Sequence, residues 1–259
     1  MLYIIQKNIF RESNYNLIFV ALEKLGLDYE IVEYNDDTAS FNFHTERKDV
    51  FPFGSVKMAK LSAELDWYPG SLFGKNHDYM IYKDFYKENL LNYDSEIKMF
   101  GDELEWNQDE IKFIRPCKDS KLITGGLFTK IKWEDLVNNR KSSEFFKKSM
   151  LFDLIQLGSP KKIYKEARIW VVDGKVITSS YYRFGDNVMY EENVEPEGLE
   201  FAQNMINLYQ VAEAFVMDIC FTPDGWKIVE INCINCSGFY KGDLQKVLIA
   251  LENKYNPEI

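Results

Sequence analysis

The order of apolar and polar residues divides the chain into short strands and amphipathic helices. MLYIIQ (Met1–Gln6) reads as a buried strand. Asn14–Leu25 carries apolar residues at helical spacing and meets a stop at Gly26. YEIVEY (Tyr29–Tyr34) alternates as a second strand, so the chain opens like a small α/β lobe. The polar run Asp36–Asp49 is expected to be loop, and Val50–Gly54 a strand leading into a helix that ends at Leu65. WYPGSLFGKN (Trp67–Asn76) is aromatic and turn-rich, the composition of a mobile connection. Further on, IKFIRP (Ile111–Pro116) predicts a strand, while Trp133–Asn138 and Ser142–Met150 predict helices. Two hairpins then follow, separated by a helix over Glu197–Gln210.

The last hairpin, FVMDICF-TPDG-WKIVEIN, combines an apolar face (Phe215, Met217, Ile219, Phe221) with an unusual polar one. Reading Pro223, Asp224 and Gly225 as a three-residue loop sets Thr222 opposite Trp226, Cys220 opposite Ile228, Asp218 opposite Glu230 and Val216 opposite Asn232. Asp218, Glu230 and Asn232 then share a face. Directly opposed carboxylates repel, and a divalent cation removes that penalty. A solvated face on which the acids maintain solubility explains the same pattern. A two-residue turn would put Asp218 and Glu230 on opposite faces.

The earlier hairpin, EARIWVV-DG-KVITSSYYR, carries the Asp-Gly signal of a two-residue turn. Val172 then faces Lys175, Arg168 faces Ser179 and Glu166 faces Tyr181. Period two places Glu166, Arg168, Ser179, Tyr181 and Arg183 together. Two arginines beside Ser and Tyr suit a phosphate or carboxylate, although a Glu–Arg pair on a sheet is also an ordinary surface ion pair. A third stretch, FIRPCKDSKLITGGLF, takes Arg115 from a strand into a loop with Lys118, Lys121, Gly125 and Gly126. Glycines let backbone N–H groups approach a phosphate, yet Gly-Gly is equally a plain turn, and the Walker pattern is missing. Taken together, a basic glycine loop, a two-arginine face and an acidic oxygen-ligand face are what an ATP site using Mg²⁺ requires.

Composition narrows the partners. Of 259 residues, 31 are Lys or Arg and 41 Asp or Glu, a net charge of -10 that argues against a broad nucleic-acid surface. No apolar run reaches bilayer length, and Met1 opens onto no leader-like pattern, so a soluble, cytoplasmic protein that engages no membrane is expected. Cys233 and Cys236 form a C-x-x-C without a second half-site, which favours free thiols over zinc. No Ser-His-Asp or Cys-His arrangement offers a protein nucleophile.

From Ile111 to Tyr240 these motifs resemble the ATP-grasp superfamily, and most closely its RimK-like carboxylate–amine ligases and their small phage and bacterial relatives. Glu166, Arg168 and VVDGKVITSSYYR are similar to the family's D-x-R hairpin. Asp218 with VEIN (Val229–Asn232) resembles its metal motif, followed by Ser237–Gly238. The resemblance implies an α+β ATP-grasp fold: an N-terminal α/β lobe (1–95), then an ATP-grasp domain (96–259) whose subdomains, about 96–155 and 156–259, clasp ATP.

Asp218, Glu230 and Asn232 would hold Mg²⁺. Arg115, Lys121, Gly125 and Gly126 would meet the phosphates, with Arg115 standing where many relatives have lysine. Ile155–Leu157, including Gln156 and Leu157, would form a hinge whose backbone pairs with adenine, and Glu166 would complete the ATP contacts. Lys75 and Lys98 are candidates for a further ATP-contacting lysine. Arg183 and Arg168 would stabilise the transferring phosphoryl group and the substrate carboxylate. The implied reaction joins a small-molecule or peptide carboxylate to an amine through an acyl phosphate, releasing ADP and phosphate. A kinase on the same scaffold, a non-catalytic nucleotide-binding interaction protein, and a zinc or redox protein using the two cysteines are the rival readings.

Overall fold

The computed structural model describes residues 1–7, 9, 14–35, 40–74, 76–107, 109–118, 123–144 and 146–257. The chain opens with β1 (Leu2–Gln6), α1 (Leu17–Leu25), β2 (Tyr29–Val32), the short pair β3 (Tyr34–Asn35) and β4 (Ser40–Phe41), β5 (Asp49–Phe53), α2 (Val56–Glu64) and β6 (Tyr68–Pro69). Next come α3 (Tyr79–Tyr86), β7 (Glu96–Met99), β8 (Lys112–Pro116), β9 (Gly126–Phe128), α4 (Lys130–Lys141) and β10 (Leu154–Gly158). The last part holds β11 (Lys165–Val172), β12 (Lys175–Phe184), β13 (Asn187–Glu191), α5 (Pro196–Leu208), β14 (Ala214–Thr222), β15 (Gly225–Asn232) and α6 (Leu244–Tyr255).

Contacts gather these elements into two compact units, Met1–His77 with Ile163–Ile259, and Asp78–Lys162. This is a grouping by contact; the lobe boundaries at 95 and 155 are a separate division, which stays a proposal.

The first unit contains a parallel sheet in the order β2-β1-β5-β6 and an antiparallel sheet in the order β13-β12-β11-β14-β15. Gly26 ends α1 in the left-handed conformation (φ 64°) expected of a glycine stop. One core joins Tyr3, Ile5, Phe51 and Phe53 of the parallel sheet to Trp170, Val172, Ala214 and Val216 of the antiparallel sheet, and to Leu244, Leu248 and Leu251 of α6. The polar face of the antiparallel sheet is therefore apolar at one end. Its opposite face is buried through Ala167, Ile169, Val171, Phe215, Met217 and Ile219, and α5 packs on β12 and β14.

Trp67–Asn76 differs from the mobile connection expected of it. Trp67 and Leu72 are buried, the Leu72 N–H donates to Asn235 Oδ1 (2.9 Å), and the Asn76 N–H donates to the Val211 carbonyl (3.4 Å). Aromatic and apolar side chains there serve the core of the first unit.

The second unit is built on an antiparallel sheet in the order β7-β10-β8-β9 with α4 beside it. Trp133 of α4 packs with Phe100, Ile114, Ile155 and Leu157. Among the described residues of Ser142–Met150 the expected helix is not formed. The Ser142 hydroxyl donates back to the Asn138 carbonyl at the end of α4, and only a 3-10 turn over Lys148–Phe152 follows. No helix among the described residues is long and apolar enough to cross a membrane.

Candidate active site

Asp218 and Glu230 are directly paired across β14 and β15, and Val216 is paired with Asn232, so the three oxygen-bearing side chains share a face. The route to this register differs from the expected one. Thr222 pairs with Gly225 around a two-residue turn, stabilised by the Thr222 hydroxyl donating to the Gly225 carbonyl (2.8 Å). That turn pairs Cys220 with Lys227 and Ile219 with Ile228. A bulge then lets Val229 and its neighbour oppose a single partner residue, and the faces come back into phase at Asp218 and Glu230. Burial records the slip. Ile228 and Ile231, three positions apart, both lie in the interior.

The first hairpin has the expected turn, with Val172 opposite Lys175 and positive φ at both Asp173 (50°) and Gly174 (72°). Beyond it, bulges at Ile177 and Tyr182 shift the expected partners. Arg168 faces Ser180 rather than Ser179, and Glu166 faces Arg183 rather than Tyr181. Tyr181, paired with Ala167, belongs to the other face, and Tyr182 takes its place beside Glu166.

Strand order gives the site its main interaction. β11 lies between β12 and β14, which sets Arg168 opposite Asp218. Arg168 Nε donates to Asp218 Oδ1 and Nη2 to Oδ2, both at 2.8 Å, in a buried two-pronged ion pair. Its Nη1 donates to the Gly238 carbonyl (3.2 Å), and its guanidinium lies over the Tyr240 ring, 4.7 Å from the centroid. Tyr240 is itself packed against Tyr182 and Tyr190, with centroids 5.1 and 5.2 Å away, and has a positive φ of 47°. Glu166 accepts from the Tyr182 hydroxyl (2.8 Å) and from Arg183 Nη1 (3.2 Å). The Arg183 side chain remains 48% exposed, against 7% for Arg168.

Electrostatics follows from this crowding. Burial pushes Asp218 up to about 6 against the pull of Arg168, and Glu230 and Glu166 add to the rise. Burial opposes the charge of Arg168, but Asp218 more than restores it and holds the guanidinium firmly protonated. Burial also drives Tyr182 far up, and the charges of Asp218, Glu166 and Glu230 act in the same direction.

Three carboxylates therefore act on one buried hydroxyl, with the two arginines beside them. Among the described residues no group of three His, Cys, Asp or Glu side chains is arranged to hold a metal. The set in question is instead two carboxylates and an amide. It fits a hard divalent cation because all its donors are oxygen, and each Asp218 oxygen keeps a second lone pair beyond the one Arg168 uses.

The remaining expected residues, Lys75 apart, belong to the second unit. Arg115 stands opposite Gln156 and Ile114 opposite Leu157 on β8 and β10, and Ile114 is paired on its other side with Gly126. Gly125 packs so tightly on Arg115 that a Cβ would lie 2.9 Å from the Arg115 Cβ, whereas at Gly126 the nearest atom would be 3.7 Å away. Gln156 and Leu157 are buried in a strand with ladder partners on both sides, Ile97 and Arg115 for Gln156. Lys98 pairs with Glu96 (3.2 Å). Lys121 and Lys75 fall outside the described residues.

The sequence reading missed Tyr182, Tyr240 and the carbonyl of Gly238. Their one signal is the run of small residues and tyrosine, CSGFY, shortly after VEIN (Val229–Asn232).

A family model for an ATP-grasp domain, the third family of its clade, matches residues 72–251. The chain belongs to the ATP-grasp superfamily. Solved structures share its fold across nearly the whole length. The D-cycloserine synthetase DcsG is 10% identical, covers 98% of this chain and 99% of its own, and superposes with a TM-score of 0.64. The D-alanine–D-alanine ligase of Bacillus anthracis complexed with ATP is 12% identical, with 97% and 96% covered and a TM-score of 0.60. The ATP-grasp ligase PsnB complexed with minimal precursor is 11% identical, with 96% and 97% covered and a TM-score of 0.54. At these identities the likeness is one of fold, the expected α+β ATP-grasp fold. No curated protein matches.

Proposed function

We propose that this protein is an ATP-dependent carboxylate–amine ligase whose ATP-grasp site works with Mg²⁺. The observation that carries the reading is the shared face of Asp218, Glu230 and Asn232 beside the exposed end of Arg183. The ATP-grasp family supports it, as do fold neighbours named as ligases or synthetases, one solved with ATP and another with a precursor.

In the proposed reaction a substrate carboxylate oxygen attacks the γ-phosphorus, and the bond to the ADP oxygen breaks. The amine nitrogen then attacks the acyl carbon. Phosphate leaves with the C–O electron pair, and the amine proton passes to solvent. Asp218, Glu230 and Asn232 would hold the cation, which when bound would neutralise charge on the triphosphate. Arg168, with its fork committed to Asp218, positions that carboxylate. Arg183, oriented by Glu166, meets the transferring phosphoryl group or the substrate carboxylate. Arg115, Lys121, Gly125, Gly126, Gln156 and Leu157 are the proposed nucleotide contacts, with Gly125 small so that Arg115 can pack against the loop.

The test is incubation with ATP, Mg²⁺ and a panel of amino acids and peptides, following ADP release and product mass. ADP release that requires both a carboxylate and an amine, with an amide product, supports the proposal. A phosphorylated product formed without any amine identifies a kinase instead. Mg²⁺-ATP binding with no turnover on any pair favours a nucleotide-binding interaction protein.

A further inference from the structure

The C-x-x-C motif lies immediately beyond Asn232 and has no part in the proposed ligation. Cys233 caps a 3-10 turn over Ile234–Cys236, and the Cys236 N–H donates to the Cys233 carbonyl at 3.1 Å. A turn closed in this way brings its first and fourth Cα atoms within about 7 Å, which overlaps the separation that a disulfide spans. Within the same turn the Cys233 sulfur donates to Asn235 Oδ1 at 3.3 Å. Both cysteines are free thiols, Cys233 buried and Cys236 partly exposed, so an oxidant reaches Cys236 first while Cys233 waits behind it. The other two cysteines are unlike them. Cys117 and Cys220 are buried, and burial pushes the Cys117 thiol up to about 12, so both are poor nucleophiles.

We propose that Cys233 and Cys236 are a redox-active pair whose closure to a disulfide weakens the neighbouring cation site. The first step uses a peroxide. The Cys236 sulfur takes one hydroxyl of hydrogen peroxide as a sulfenic acid, and its proton leaves with the other oxygen as water. The Cys233 sulfur then attacks the Cys236 sulfur. The S–S bond forms, the S–O bond breaks, and the Cys233 proton departs with the hydroxyl as a second water. Two thiols are oxidised and one peroxide is reduced.

The coupling follows from what the turn holds. Cys233 directly follows Asn232, its carbonyl accepts from the Ser237 hydroxyl (2.7 Å), and the next residue, Gly238, accepts from Arg168. Drawing Cys236 onto Cys233 pulls on Ser237 and Gly238, and through them on the Arg168–Asp218 pair. This second half of the proposal rests on the metal assignment made above.

The full-length protein treated with hydrogen peroxide is expected to lose about 2 Da, and alkylation in denaturant before digestion should map the bond to Cys233 and Cys236. Its affinity for Mg²⁺-ATP falls about tenfold, the size of effect seen when groups behind metal ligands are disturbed, and dithiothreitol restores it. The Cys236→Ser variant keeps its affinity through the same treatment; if that variant does not fold, comparing reduced, oxidised and re-reduced wild type decides the matter. No mass loss, or a mapped disulfide with unchanged affinity, overturns the proposal. A protein that forms the disulfide but binds Mg²⁺-ATP in neither state overturns the metal assignment and the coupling, and leaves the disulfide as a separate result.

Discussion

Asp218 and Glu230 face each other across two strands because a bulge at Val229 cancels the offset of a two-residue turn. A carboxylate directly opposite another is unfavourable unless positive charge lies nearby. Arg168 answers Asp218 with both of its prongs, and the charge of Glu230 still pushes on Asp218 and Tyr182. Glu230→Gln keeps the shape and removes that charge. The Mg²⁺-ATP thermal shift of this variant should nearly vanish, with cation affinity down by about 10–100-fold as judged by calorimetry. Its own melting temperature without nucleotide should stay within a few degrees of wild type. An undiminished shift would remove Glu230 from the proposed metal set.

The two arginines of the site should separate cleanly in stability measurements. Arg168→Ala leaves the buried Asp218 carboxylate without its guanidinium, a loss of about 3–5 kcal/mol in urea unfolding. Arg168→Lys should recover only part of this, since an ammonium cannot reproduce the fork. Arg183→Ala removes a half-exposed arginine from the buried Glu166, which keeps its bond from the Tyr182 hydroxyl, and should cost less, about 1–2 kcal/mol. It should nonetheless abolish any ADP-releasing turnover. Equal stability losses at both positions would contradict the distinction between a positioning and a catalytic arginine.

Much of this site was legible in the chain, and what escaped has an identifiable cause. Alternation places Glu230 with Asn232, but Asp218 joins them in the expected reading only through a three-residue loop. The two-residue turn and the bulge at Val229 reach the same face by another route, whereas Asp-Gly is enough to fix the turn at Val172–Lys175. Bulges break that rule without an obvious flag. At Val229 the warning was present, because Ile228 and Val229 are consecutive apolar residues in an otherwise alternating strand. At Tyr182 it was not, since Ser-Ser-Tyr-Tyr reads alike in either phase, and the partner of Glu166 was misplaced. The Arg168–Asp218 pair depends on strand order, about which alternation within each hairpin is silent.

Gly125 and Gly126 offer a test of the proposed phosphate loop that needs ATP but neither the carboxylate nor the amine. A methyl group at position 125 would meet the stem of Arg115 at 2.9 Å, whereas at position 126 it reaches only the Phe128 ring at 3.7 Å. Gly125→Ala should therefore displace Arg115 and cost about 1–3 kcal/mol as an overpacked site. ATP affinity should fall with it. Gly126→Ala should leave stability within about 0.5 kcal/mol of wild type, the usual scale for changes away from such contacts. ATP titrations of the two variants that could not be told apart would argue against a role for the Gly125–Arg115 contact.

His77 predicts how the fold responds to acid. Among the described residues neither of its ring nitrogens has a hydrogen-bond partner, and burial lowers its pKa from 6.5 to about 4. The unfolded chain thus binds a proton between those values while the folded chain does not, so the unfolded state gains as pH falls. Stability due to this group should be intact above about pH 6.5, decline through the window and level off below about pH 4, for a total of about 3 kcal/mol. Replacing His77 with Phe removes the proton site without emptying the space. Urea midpoints measured from pH 7 to pH 4 should then fall less steeply than for wild type. Parallel curves for the two proteins would mean that His77 is solvated, and that the acid sensitivity originates elsewhere.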